Sequence, residues 1–131
     1  MKEKIYSIII QIFSIAWVYV TPVHDVIIGI SILVLLDFIT GILSSRKQKK
    51  KITSRGFRQT ITKTFVYQCT IVFSMILEKH LMHGVPVIKI VSSLIAITET
   101  KSFFENVEVL TGIDFMGKLT QKLTGFLNKG K

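Results

Sequence analysis

Apolar and polar positions along this chain fall into long blocks, not single alternations. Ile5 to Val20 is sixteen residues without a charge, about 24 Å as a helix against a hydrocarbon core of about 30 Å. Lys2 and Lys4 can lengthen it at one end by snorkelling, and Trp17 and Tyr19 stand where an aromatic belt belongs. Ser7, Gln11 and Ser14 recur at i, i+4, i+7, a face predicted to lie against protein instead of lipid. Thr21-Pro22-Val23-His24-Asp25 predicts a short turn, with Pro22 ending one helix and Asp25 capping the next.

Val26 to Leu43 is the clearest span, eighteen apolar-dominated residues with a single carboxylate, Asp37. Asp37, Thr40, Gly41 and Ser44 make a small, polar stripe at helical spacing, so the second helix is placed at about 26–44. The third is placed at about 60–77, with Thr60, Thr64 and Gln68 on one face and Lys63 required to snorkel or pair. Glu78 to Pro86 reads as a polar turn broken by Gly84 and Pro86. In the fourth segment, about 85–100, Lys89, Ser92, Ser93, Ala96, Glu99 and Thr100 share one face, opposite Ile88, Ile90, Val91, Leu94, Ile95 and Ile97. Such a helix lines an aqueous path or lies flat at the interface. Beyond it, about 101–128 holds an amphipathic tail with Phe115, Leu119, Leu123 and Leu127 on one face and Lys118 and Lys122 off it. The pattern predicts one all-α integral membrane domain: four transmembrane helices, or three with the fourth on the surface, and a C-terminal amphipathic helix.

Charge sharpens this picture. The 131 residues carry a net charge of +9 and are 49% hydrophobic, and the two properties are segregated. Arg46, Lys47, Lys49, Lys50, Lys51, Arg55 and Arg58 crowd the connection after the second span, with Lys63 close behind and no acid among them. A basic run set directly against apolar spans and lacking interleaved aromatics reads as a topology signal and lipid contact, not as a nucleic-acid surface. With four spans and both termini in the cytoplasm, fifteen Lys/Arg fall inside and only Lys79 and Lys89 outside. A three-span arrangement divides them ten to seven, so the positive-inside rule favours four. No small-x-small cleavage site follows the first apolar run, which predicts an uncleaved membrane segment. Cys69 is the single cysteine, and its default reading is a small buried apolar residue.

The candidate chemistry is polar groups inside spans. A charged carboxylate at depth costs at least ~2.5 kcal/mol, so Asp37 must face protein or water, with Lys63 or Arg58 as nearest partners. It is either a helix-packing ion pair or a pore-facing switch. Glu99 and its stripe serve oligomer contact, pore lining or packing within the chain. His80 and His83 beside Glu78 have metal-ligand spacing, but an exposed turn with two histidines is more simply solvent-facing. No phosphate loop, nucleophile elbow or paired-carboxylate site is present, so neither an enzyme nor a cofactor is expected.

Leu36-Asp37-Phe38-Ile39-Thr40-Gly41-Ile42-Leu43, the basic loop, and Ile52-Thr53-Ser54-Arg55-Gly56-Phe57-Arg58 resemble the phage-lysis and toxin-secretion holin family. Thr98-Glu99, Ser102-Phe103-Phe104-Glu105-Asn106 and Leu110-Thr111-Gly112-Ile113-Asp114 extend the resemblance over roughly residues 26–119. Thr98 stands where that family often carries Asn, and Ile113-Asp114 where it carries Val-Pro. The resemblance implies a small protein of the bacterial cytoplasmic membrane that forms homo-oligomers and opens lesions. Those lesions would release a cell-wall-degrading enzyme or a toxin. Two other readings fit the same residues: a small transporter or accessory subunit of a membrane complex, and an antiholin-like regulator.

Overall fold

The structure, a computed structural model, describes residues 1–129. Lys131 lies outside them, as do the side chains of Leu127 and Lys129, which the sequence placed on the apolar face of the tail and in the cytoplasmic charge count. Among the described residues every regular element is helical: α1 (Lys2–Val20), a 3-10 turn (Thr21–Val23), α2 (His24–Lys47), α3 (Ser54–His80), α4 (Val87–Thr111) and α5 (Phe115–Lys129). Two stretches are long and apolar enough to cross a membrane, Lys2–Lys47 and Ser54–His80.

The helices run past the limits that hydropathy suggests. α2 reaches Lys47 where Ser44 was expected, α3 begins at Ser54 and not Thr60, and α4 continues eleven residues beyond Thr100 to Thr111. Apolar runs mark the part of a helix that meets lipid, whereas a helix itself ends where its backbone is broken. For α4 that break is Gly112, which adopts φ +74° and returns its amide to the Glu108 carbonyl. Lys101 and Glu105, i and i+4, pair at 3.8 Å along the way. Residues Gln48 to Thr53 form the true connection between α2 and α3, with Lys49 in the left-handed region at φ +55°.

α2, α3 and α4 pack side by side. Val23, Ile30 and Val34 come from α2 and its entry turn, Ile71 and Met75 from α3, and Ile95 from α4. The spacings of seven and four residues in the first set and of four in the second put each on one face of its helix. At the far end of α3, Glu78 Oε2 accepts the Ile88 amide at 2.8 Å, an N-cap for α4 supplied by another helix. Glu78→Ala is expected to lower bundle stability by about 1 kcal/mol, read as a lower midpoint when the detergent-solubilised chain is titrated with dodecyl sulfate.

α1 departs from expectation. None of its residues is buried, so the Ser7–Gln11–Ser14 face lies against no other part of the chain. Ser14 turns its hydroxyl back to the Ile10 carbonyl at 2.9 Å. The cause is the junction: the three residues joining α1 to α2 are themselves a turn of 3-10 helix, so α1 is not laid back along the bundle. Asp25 is not a cap there either. Val23 occupies the N-cap position without a side-chain bond, and Asp25 sits in the first turn of α2, where its charge complements the helix dipole. α1 is tied in at its C-terminal end, through Tyr19 Oη, 2.8 Å from His80 Nε2, and through Trp17, whose ring lies 4.5 Å from that of His24.

A candidate functional site of charged residues inside the bundle

One residue from each of three helices meets in the bundle. Lys63 Nζ on α3 donates to Asp37 Oδ2 on α2 at 3.2 Å and to Glu99 Oε2 on α4 at 2.7 Å. The Glu99 side chain is 1% exposed, that of Asp37 12%, and that of Lys63 31%. The remaining carboxylate oxygens are also engaged. Tyr67, one turn beyond Lys63, donates its hydroxyl to Glu99 Oε1 at 2.8 Å. Asn106, two turns beyond Glu99, donates Nδ2 to Asp37 Oδ1 at 3.0 Å and approaches Thr40 Oγ1 at 3.5 Å. Thr40 in turn donates to the Leu36 and Asp37 carbonyls. Gly41 lets α4 come close: a Cβ there would sit 3.5 Å from Asn106 Nδ2, so a methyl is accommodated and a longer side chain is not.

With both carboxylates ionised against one ammonium, the cluster carries a formal charge of −1. Ionic groups in a low-dielectric interior persist when each charged atom has a partner, and the Tyr67 and Asn106 bonds give one to the two carboxylate oxygens that Lys63 leaves free. A second polar layer lies one helical turn along α3, where Gln68 Nε2 donates to Ser31 Oγ at 2.8 Å. Gln68 Oε1 is buried without a partner.

The structure therefore gathers Asp37, Thr40, Gly41, Lys63 and Glu99 and leaves others apart. Arg58, the alternative partner for Asp37, is exposed, and so is Cys69, which lies on the side of α3 turned away from α2 and α4 and is not the buried residue expected. The six-residue stripe on α4 divides: Glu99 is buried, Ser92, Ala96 and Thr100 are half-buried, and Lys89 and Ser93 are exposed. Its supposed apolar back also divides, with Ile95 in the core and Ile90, Leu94 and Ile97 outside. A helix wedged between two others buries a face set by both neighbours, which single-face periodicity does not describe. Tyr67 and Asn106 are not singled out by sequence pattern, though each stands at helical spacing from a charged residue, i+4 and i+7.

The basic residues also separate by structure. Arg46 and Lys47 end α2, Lys49, Lys50 and Lys51 lie in the connection, and Arg55 and Arg58 begin α3, all exposed. Lys47 is more than surface charge, because its Nζ donates to the Leu110 carbonyl at 2.9 Å and so satisfies one of the free carbonyls ending α4.

A family model described as the bacteriophage holin family matches residues 14–128. The chain belongs to that family. The matched span takes in the whole charged cluster and the basic connection, and makes this a membrane protein of the phage holin type. No curated protein and no solved structure matches the chain.

Proposed function

We propose that this holin-family chain assembles with copies of itself in the bacterial cytoplasmic membrane and opens lesions that release a cell-wall-degrading enzyme or a toxin. The observation that carries this is α1, a nineteen-residue apolar helix with no residue buried by its own chain. Gln11 stands near its middle. An amide facing hydrocarbon without a partner is costly, and the same amide on a second copy is both donor and acceptor for it.

The topology proposed is four spans with both termini cytoplasmic. α1 and α2 are about 28 and 36 Å of helix, each close to a hydrocarbon core of about 30 Å, and for both to cross, the chain bends at the Thr21–Val23 junction in the membrane. α4 lies along α2 and α3 and places Glu99 between them, so it shares their depth despite its charges. The connection bearing Lys49, Lys50 and Lys51 then faces the cytoplasm, and the Tyr19–His80 contact lies at the opposite surface.

Timed expression beside a cytosolic wall-degrading enzyme tests the proposal. Abrupt lysis with leakage of a large dye is expected, and continued growth without leakage would refute it. Glu99→Gln and Asp37→Asn change the charge holding the three helices, and both are expected to shift the onset of lysis by minutes or more. Unchanged onset in both would remove any role of the cluster in opening. Gln11→Leu is expected to weaken self-association by about 1 kcal/mol per helix pair, about fivefold in the association constant, measured by the yield of disulfide cross-links between copies carrying Ser14→Cys with the exposed Cys69 replaced by Ser.

A further inference from the structure

Between the cytoplasmic ends of α2 and α3 lies an open cleft of about 360 Å³, within the size range of small-molecule sites. Phe38 and Ile42 of α2 and Phe57 of α3 supply apolar walls, the two rings 5.9 Å apart between centroids. Ser45, Lys51 and Thr53 add two hydroxyls and an ammonium. Asp37 also reaches the cleft, but its carboxylate is already held by Lys63 and Asn106. The ion pairs among the described residues are Lys63 with Asp37 and Glu99, and Lys101 with Glu105. Lys51 is in none of them, so the uncommitted charge of the cleft is positive.

Gly56 gives the second indication. It lies in the first turn of α3 and lines the cleft. Glycine weakens a helix relative to alanine, and a Cβ at Gly56 would meet nothing of the chain within 4 Å. Helix packing therefore does not call for glycine there, whereas an occupant of the cleft would.

We propose that this cleft binds the phosphodiester headgroup of an anionic phospholipid, an inference that rests on α2 and α3 being spans. Lys51 pairs with the phosphate, the Ser45 and Thr53 hydroxyls reach the glycerol oxygens, and Phe38, Ile42 and Phe57 cover the first methylenes of the acyl chains. The mixture of apolar wall and single cation suits a lipid better than free phosphate, and the anionic leaflet lies on the side where the basic connection is placed.

The test uses the full chain in vesicles of equal parts phosphatidylcholine and phosphatidylglycerol, with either lipid spin-labelled and the protein-restricted fraction measured. The unaltered chain should favour phosphatidylglycerol about fivefold. Lys51→Gln and Gly56→Leu should bring the ratio close to one, while Lys50→Gln, removing an equal charge outside the cleft, should keep most of it. Gly56→Leu should at the same time leave helicity and melting unchanged or raised, which separates a filled cleft from a misfolded chain. Equal losses in Lys50→Gln and Lys51→Gln would mean diffuse surface attraction and overturn the site. Displacement of the labelled lipid by millimolar inorganic phosphate would assign the cleft to a soluble anion and overturn the lipid. Alkaline extraction of the same vesicles reports on the spanning reading separately: if that reading fails the chain leaves the membrane, whereas if only the site fails the chain stays and the ratios are equal.

Discussion

Lys63→Met should destabilise the three-helix bundle by about 3 kcal/mol, the largest loss expected from any single change in the charged cluster. Removing one member of a buried ion pair costs about 3–5 kcal/mol because the other is left uncompensated. Here two carboxylates are left, Glu99 almost fully enclosed and Asp37 nearly so. The lower end of the range applies because the Lys63 side chain retains 31% exposure, so water already screens part of the interaction. Glu99→Gln should cost only about 1 kcal/mol. It leaves Asp37 and Lys63 as a balanced pair and keeps a carbonyl for the Tyr67 hydroxyl. Combining Lys63→Met with Asp37→Asn and Glu99→Gln should recover most of the loss, since no charge then remains inside. Dodecyl sulfate titration followed by circular dichroism measures all three, and equal midpoints for Lys63→Met and Glu99→Gln would dismiss the charge argument.

Asn106→Asp is expected to be nearly as damaging, at about 3 kcal/mol, despite almost no change in shape. It exchanges a donor 3.0 Å from Asp37 Oδ1 for a second carboxylate, and takes the formal charge of the cluster from −1 to −2. Like charges at that distance in a poorly screened site repel strongly. Asn106→Ala removes the same hydrogen bond without adding charge and should cost about 1–2 kcal/mol. The comparison isolates electrostatics from the lost bond. In the same titration the Asp variant should melt well before the Ala variant, and the reverse order would show that Asn106 acts by packing alone.

Much of this arrangement is legible in the residues themselves, for reasons that also explain what is not. A carboxylate within an apolar run has few possible partners, and Lys63 and Arg58 on the next helix are the cations within reach, so the residues alone narrow the choice for Asp37 to two. The block pattern marks helices because charge cannot be scattered through a span. It does not mark their ends, which depend on backbone breaks such as Gly112. Nor does it show whether an apolar helix is covered by its own chain. α1 is a more apolar string of residues than α3, yet α3 contributes Ile71, Ser74 and Met75 to the interior and α1 contributes nothing. The difference lies in the connections, a six-residue loop that lets α3 return beside α2 and a three-residue helical turn that holds α1 away. Tyr67 and Asn106 stay hidden in the sequence because uncharged polar residues are unremarkable in a helix unless a buried carboxylate needs them.

That three-residue turn has a mechanical consequence. A flexible linker would let α1 tilt or rotate without disturbing the bundle. Thr21–Val23 instead continues helix into helix, with Pro22 fixing one backbone angle and Val23 fully enclosed in the core. α1 is thus a lever whose fulcrum is embedded among the packed side chains, and the arm on the far side of that fulcrum is the helix that carries Asp37. In the assembly proposed above, a neighbouring molecule that grips α1 and turns it would apply torque through this short junction to the helix whose carboxylate binds Lys63 and Asn106, coupling crowding in the bilayer to the charge pairing within each molecule.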